Sequence, residues 1–217
     1  MNIILSVIGV VGGILCAIAD MLLDIKGKDN KKCGSKNILD SNWEKMPNWR
    51  FISSSIIVMF AVPMYSMGII SLGNQISIHN EVLGYALKLS IFIGAMGGFF
   101  IHTFICVIPI IYKEIMKSNN FELADRTISQ AFNIVKIPFF VLYLVLMLFP
   151  TSIVCYAIIT KLLNVPFWFI LLNPVIFQII GWILRAIKKE WFYEVPSICA
   201  ASLGLAMFGI IGIVNLI

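Results

Sequence analysis

The sequence predicts an all-α integral membrane protein: a single bundle of six transmembrane helices, both termini outside, with an amphipathic cytoplasmic helix between helices 3 and 4. Three observations carry this prediction. Of the 217 residues, 60% are hydrophobic and 12% charged, whereas a soluble domain is about 45–50% apolar. Six apolar stretches, at 2–24, 51–73, 83–112, 137–160, 166–187 and 195–217, match or exceed the roughly 20 residues that cross a hydrocarbon core. The loops between them alternate in charge. Lys26, Lys28, Lys31, Lys32, Lys36, Lys45 and Arg50 fall in the first loop, Lys113, Lys117, Arg126 and Lys136 in the third, and Arg185, Lys188 and Lys189 in the fifth. The second loop, 74–81, has no lysine or arginine and the fourth has only Lys161. Basic loops stay in the cytoplasm, so this bias orients a chain of the cell membrane with its odd loops inside.

The chain, 1–217, is expected to be one membrane domain. Its longest polar stretch, 25–49, is shorter than the ~40 residues below which a domain needs a disulfide or a metal. The first apolar stretch lacks a basic leading segment and a small-residue cleavage site, so it reads as a retained helix. Along it Gly12, Cys16, Asp20 and Asp24 recur every four residues, a close-packing face that runs into two carboxylates. The loop that follows mixes lysines with Asp29, Asp40 and Glu44. It reads as a mobile linker whose basic run is drawn to anionic lipid by about 1 kcal/mol per charge, with Trp43 and Trp49 at headgroup level.

Span two carries Pro63, which removes a backbone donor, and a flexible group of Met59, Met64 and Met67. His79, in the short second loop, is expected in solvent. Span three holds the most informative stripe, Gly94, Gly98, His102 and Cys106, again at intervals of four. Two glycines admit a neighbouring helix, and an imidazole in an apolar span faces protein or a cavity, because exposing it to lipid is costly. In the third loop Phe121, Ala124, Ile128, Phe132 and Val135 have near-helical spacing, the pattern of a helix lying in the interface. Pro150 interrupts span four. In span five Asn173 precedes Pro174, and Gln178 and Arg185 share a face with Trp182 between them. Span six ends at Asn215.

Counted at about 1.5 Å per residue, His102 and Gln178 share one depth, and Asp20 and Arg185 a shallower one. Spans one, three and five are therefore expected to enclose a polar cavity facing the cytoplasm. His102 is its protonatable centre, Gln178 a hydrogen-bond partner, Asp20 and Arg185 the charges at its mouth, and Asn173 a further ligand contact or the cap of the proline break. Gly12, Cys16, Gly94 and Gly98 are the expected packing positions.

The function expected from this is to bind or move a small solute or a lipid headgroup, as a transporter would. Membrane lipids, a small-molecule or lipid ligand, and a further copy or a membrane-complex subunit are the expected partners. Two readings compete: an intramembrane acid–base enzyme acting on a lipid-like substrate, with His102 as catalytic group, and a structural or regulatory subunit. His102 and Cys106, four apart, would suit a thiolate–imidazolium pair. Residues 97–106, Gly-Gly-Phe-Phe-Ile-His-Thr-Phe-Ile-Cys, resemble the glycine, histidine and cysteine region of membrane cysteine endopeptidases that process signalling peptides. The His-to-Cys spacing is shorter than that family's and the basic residue before the glycines is missing, so the resemblance is not adopted. No cofactor is expected. One intramembrane histidine and one shallow carboxylate fall short of the three ligands of a catalytic zinc, and no phosphate-binding glycine loop or hydrolase motif is present. The net charge of +5 sits in loops beside the spans, which argues for orientation and against nucleic acid.

Overall fold

A computed structural model describes residues 1–187, 192 and 194–217. Lys188 and Lys189 of the predicted basic fifth loop lie outside the described residues. Among the described residues the regular structure is helical apart from one small hairpin. The helices are α1 (Asn2–Asp24), α2 (Asn48–Ser77), α3 (Glu81–Met116), α4 (Phe121–Tyr143), α5 (Phe149–Ile159), α6 (Pro174–Ile187) and α7 (Val195–Val214). Among the described residues, five helical runs are long and apolar enough to cross a membrane: α1, α2, α3, α7 and the continuous run Phe121–Ile159.

Glycine sets the tightest seams. A Cβ on Gly9 would lie 2.6 Å from the Gly68 nitrogen of α2, and one on Gly13 2.6 Å from Ala206 of α7. α1 is thus clasped between α2 and α7, with backbones close enough for dispersion contacts along their length. Such contacts, rather than apolar transfer, hold helices together where the surroundings are themselves apolar. Tyr65, Ile69, Leu72 and Phe208 fill the centre of this trio and are at most 2% exposed.

Polar side chains tie up the two ends of the bundle. At one end the Asn74 amide donates to Asn2 Oδ1 at 3.2 Å, the Asn215 amide to Gln75 Oε1 at 2.7 Å, and the Asn164 backbone to Asn215 Oδ1 at 2.5 Å. At the other end Arg50 donates to the carbonyls of Met21, Leu22 and Ile25, closing the C-terminus of α1.

Three sequence expectations change. The stretch 166–187 is not one helix: a 3₁₀ segment, Phe167–Leu171, precedes α6, a helix of 14 residues. The break falls at Asn173, whose Oδ1 accepts from the backbone of Val175 and Ile176, both at 3.0 Å, while its amide donates to Ile170 at 2.6 Å. The interfacial helix of the third loop does not exist separately. α4 starts at the Asn120 cap and continues unbroken to Tyr143, because its apolar stripe packs on the protein: Ala124 and Ile128 are fully buried in a cluster with Leu39, Trp43 and Cys106. Pro150 then deprives the run of a donor, and the turn before it widens into a π-helix, Leu144–Leu148.

The first loop, expected to be mobile, is built and docked. A two-residue hairpin pairs Lys32–Cys33 with Leu39–Asp40, and Leu39, Trp43 and Met46 are buried. Asp40, 1% exposed, is met by Lys26 at 3.3 Å, Lys32 at 3.0 Å and the Asn30 amide at 2.7 Å. Gly34, at φ +81°, turns the chain so that the Ser35 nitrogen donates to Asp125 of α4 at 2.9 Å.

Candidate functional site

The break at Asn173 and the π-turn leave space between the helices. A cavity of about 370 Å³ lies inside the bundle, walled by α1, α2, α3, α4, α6 and α7. The stripes of α1 and α3 both reach it and meet at Asp20 and His102, while their glycines pack on other elements. Gly12 faces the α2 backbone at Met64 and Tyr65, whereas Gly94 lies under Leu146 and Gly98 under the Tyr65 hydroxyl. Cys16, Gly98, Asp20 and His102 all line the space, and Gln178 and Arg185 line it from α6. Asn173 does not; it is committed to the break it caps. Cys106 also stays out, buried in the cluster beneath the first loop, which separates it from any substrate in the cavity.

At the centre His102 Nδ1 lies 3.4 Å from Asp20 Oδ1, and His102 Nε2 lies 2.7 Å from Ser54 Oγ. Ser202 of α7 donates to Asp20 Oδ2 at 2.5 Å. Side chains of four helices thus meet here, joined by two hydrogen bonds and the Asp20–His102 ion-pair contact. The proton positions follow from counting donors. Ser54 donates its single hydroxyl hydrogen to the Ala19 carbonyl at 2.8 Å, so it can only accept from His102, and Nε2 must carry a hydrogen. Nδ1 then faces Asp20 either as an N–H meeting a carboxylate or as a lone pair meeting a protonated acid. A bare carboxylate opposite a bare lone pair would repel. A proton on either Nδ1 or Oδ1 would make this 3.4 Å contact attractive.

Arg185 does not meet Asp20. Its guanidinium lies 3.7 Å from Glu194, and the Gln178 amide donates to the Ser197 carbonyl at 3.0 Å rather than to His102. Asp24, nearer the end of α1, pairs with Lys26 at 2.5 Å. Among the described residues no group of three His, Cys, Asp or Glu is placed to hold a metal ion.

Residues 1–217 match the family of unknown function DUF6796 over the whole chain. The chain belongs to DUF6796. No curated protein and no solved structure matches it at a significant level. What a DUF6796 chain does has to be argued from this cavity.

Sequence reasoning missed Ser54 and Ser202. Serine is common in apolar helices, where it bonds its own backbone at i−4, as Ser66 does here to Val62. Only the crossing of helices shows that these two serines bond elsewhere. The aromatic wall from α4, Phe139 and Tyr143, was also hidden, because α4 could not be assigned a face before the π-turn was known.

Proposed function

We propose that the protein is a multi-pass protein of the cell membrane that binds, and by exchange moves, a small solute or lipid headgroup in the cavity around Asp20 and His102. The broken segment 166–187 counts as its fifth crossing, both termini lie outside, and the Arg50 end of the bundle faces the cytoplasm. The basic first and third loops, both at that end, support this orientation. The observation that carries the functional reading is the Asp20–His102 dyad itself. A carboxylate and an imidazole, with side chains 22% and 12% exposed, can share a proton on the wall of a cavity large enough for a ligand. Ionisable groups at such a place are costly to keep and are used for ion or substrate pathways.

Acid–base chemistry at His102 is the competing reading: its ring nitrogens meet Ser54 and Asp20, and an imidazole held between a hydroxyl and a carboxylate can transfer protons. A purely structural pair would be sealed from water.

The test is ¹⁵N NMR of labelled imidazole in nanodiscs, in a His79→Gln background that leaves His102 as the only histidine. The expected result is that Nε2 keeps its proton at all pH values, Nδ1 responds to pH, and Asp20→Asn shifts that response. A ring indifferent to both pH and Asp20→Asn would mean a dry structural pair, and the cavity reading would be wrong.

A further inference from the structure

The cavity is acidic and aromatic at once. Asp20 and Asp24 reach it from α1, and Tyr65, Phe139, Tyr143 and Trp182 supply ring faces from α2, α4 and α6. Every charged group of the lining has a partner: Arg185 has Glu194, His102 has Asp20, and Asp24 has Lys26. The carboxylates nonetheless stay open, with the Asp24 side chain 44% and the Asp20 side chain 22% exposed. A cation would meet carboxylate oxygens and ring faces, the surfaces that attract weakly hydrated positive charge.

The wall also has an opening. Among the described residues α6 packs mainly on α7 and meets the α4–α5 run chiefly at the π-turn, while α4 and α6 both line the cavity. The outward residues on both sides of this cleft, Phe140, Ile179, Trp182 and Ile183, are apolar and exposed. A ligand entering between them crosses an apolar surface, which requires an apolar body around its charge.

Resting on the dyad reading above, we propose that the cavity takes a monovalent organic cation with an apolar body, an amine or onium centre seated against Asp20, in exchange for the proton of the dyad. As the cation settles, the imidazolium of His102 loses its Nδ1 proton to water at the mouth beside Asp24. Its Nε2 hydrogen stays on the ring, donated to Ser54 Oγ, and the Asp20 carboxylate turns its charge to the ligand. One N–H bond breaks, one positive charge enters and one leaves, so the net charge of the site is constant and neither ion is buried unpaired. The other titratable or charged groups around the dyad are Cys16 and Asp24 on α1, Tyr65 on α2, Cys106 on α3, Tyr143 on α4 and Arg185 on α6, with Cys199 on α7. Asp24 and Arg185 keep their own partners, Lys26 and Glu194. The dyad is the group left to exchange.

The experiment compares tetraphenylphosphonium with tetraphenylborate, alike in shape and opposite in charge, on the full chain in nanodiscs with empty discs subtracted. Saturable binding of the cation is expected, with release of about one proton per cation in weak buffer. Affinity should rise about tenfold per pH unit while the dyad is protonated. Asp20→Asn should weaken binding at least about tenfold, and Asp20→Glu, checked to melt like wild type, should restore it. Equal or tighter binding of tetraphenylborate, or cation binding with no proton release and no pH dependence, overturns the proposal. If the His102 ring titrates with Asp20 but the cation does not bind, the cation assignment alone falls; if the ring does not titrate, the dyad reading falls with it. Adding phosphatidylethanolamine to phosphatidylglycerol discs assigns the natural source. Competition places the ammonium group on a lipid, and its absence places it on a free cation; both support the exchange.

Discussion

Because Ser54 gives its one hydroxyl hydrogen to the Ala19 carbonyl, replacing it with alanine removes the acceptor that keeps the His102 proton on Nε2. Ser54→Ala is therefore expected to convert a single ring tautomer into a mixture, read as averaged ¹⁵N shifts of the two ring nitrogens at high pH. Unchanged shifts would show that some other group holds the ring. The residues of this centre were unequally legible. Asp20, His102, Gln178 and Arg185 stand out in a chain because ionisable and amide groups are rare in apolar runs. Their pairings did not follow from depth alone. Arg185 and Asp20 were matched by height along their helices, but Arg185 lies opposite Glu194 instead, and a rise per residue says nothing about rotation around the bundle.

Among the elements, the seam of α1 is the least forgiving. A side chain on Gly12 would run into the backbone of α2, whereas one on Gly97 would meet only the end of Leu142, at 3.3 Å. Gly12→Leu is expected to abolish cooperative melting in detergent, while Gly97→Ala should stay within about 0.5 kcal/mol of wild type, the usual range for a tolerant site. Equal melting of the two variants would show that the seam does not carry the fold. The small-residue stripes were readable as close-packing faces, but their partners were not. α1 and α3 carry similar stripes and yet pack on α2, α7 and the π-turn, since a stripe specifies closeness and not a neighbour.

The first loop's polar composition hides three short anchors, Leu39, Trp43 and Met46, that are buried only through contact with residues of α1, α2, α3 and α4 distant in sequence. Its latch has a pH signature. Burial alone would lower the Lys26 pKa, but Asp24 and Asp40 outweigh it and raise the ammonium above its ordinary value. The pairing therefore contributes its full stability below the unfolded lysine pKa, about 10.4, and loses it as pH rises through the higher folded value. Proteolysis of the 26–47 segment is expected to stay slow from neutral pH to about 10 and to accelerate above it, with Lys26→Met removing the step. Cleavage that is no faster above about pH 10 than below it would exclude this latch.

For the whole molecule, the decisive question is which end faces the cell interior. An engineered thiol at His79→Cys is expected to react with a membrane-impermeant maleimide on intact cells, and one at Lys28→Cys only after permeabilisation. The reverse pattern would invert the orientation and turn the cavity mouth outward. Most of the all-helical architecture was legible, because long apolar runs have few alternatives. The fifth stretch was the exception: Pro174 announced a break, but its 3₁₀ extent depended on Gly204 of α7 lying against the Asn173–Pro174 backbone, where a Cβ would sit 2.6 Å from the Pro174 nitrogen.

The clasp of α1 between its nearest and farthest partners sets a schedule for biogenesis. α2 leaves the ribosome soon after α1, so the Gly9–Gly68 seam can close early. Ser202 comes 182 residues after Asp20, and the carboxyl waits for it through nearly all of translation. A nascent chain stalled before α7 shows one flank of α1 as bare glycine leading into an acid with an incomplete set of donors. That flank is a mark by which membrane quality control could tell an unfinished copy from a finished one.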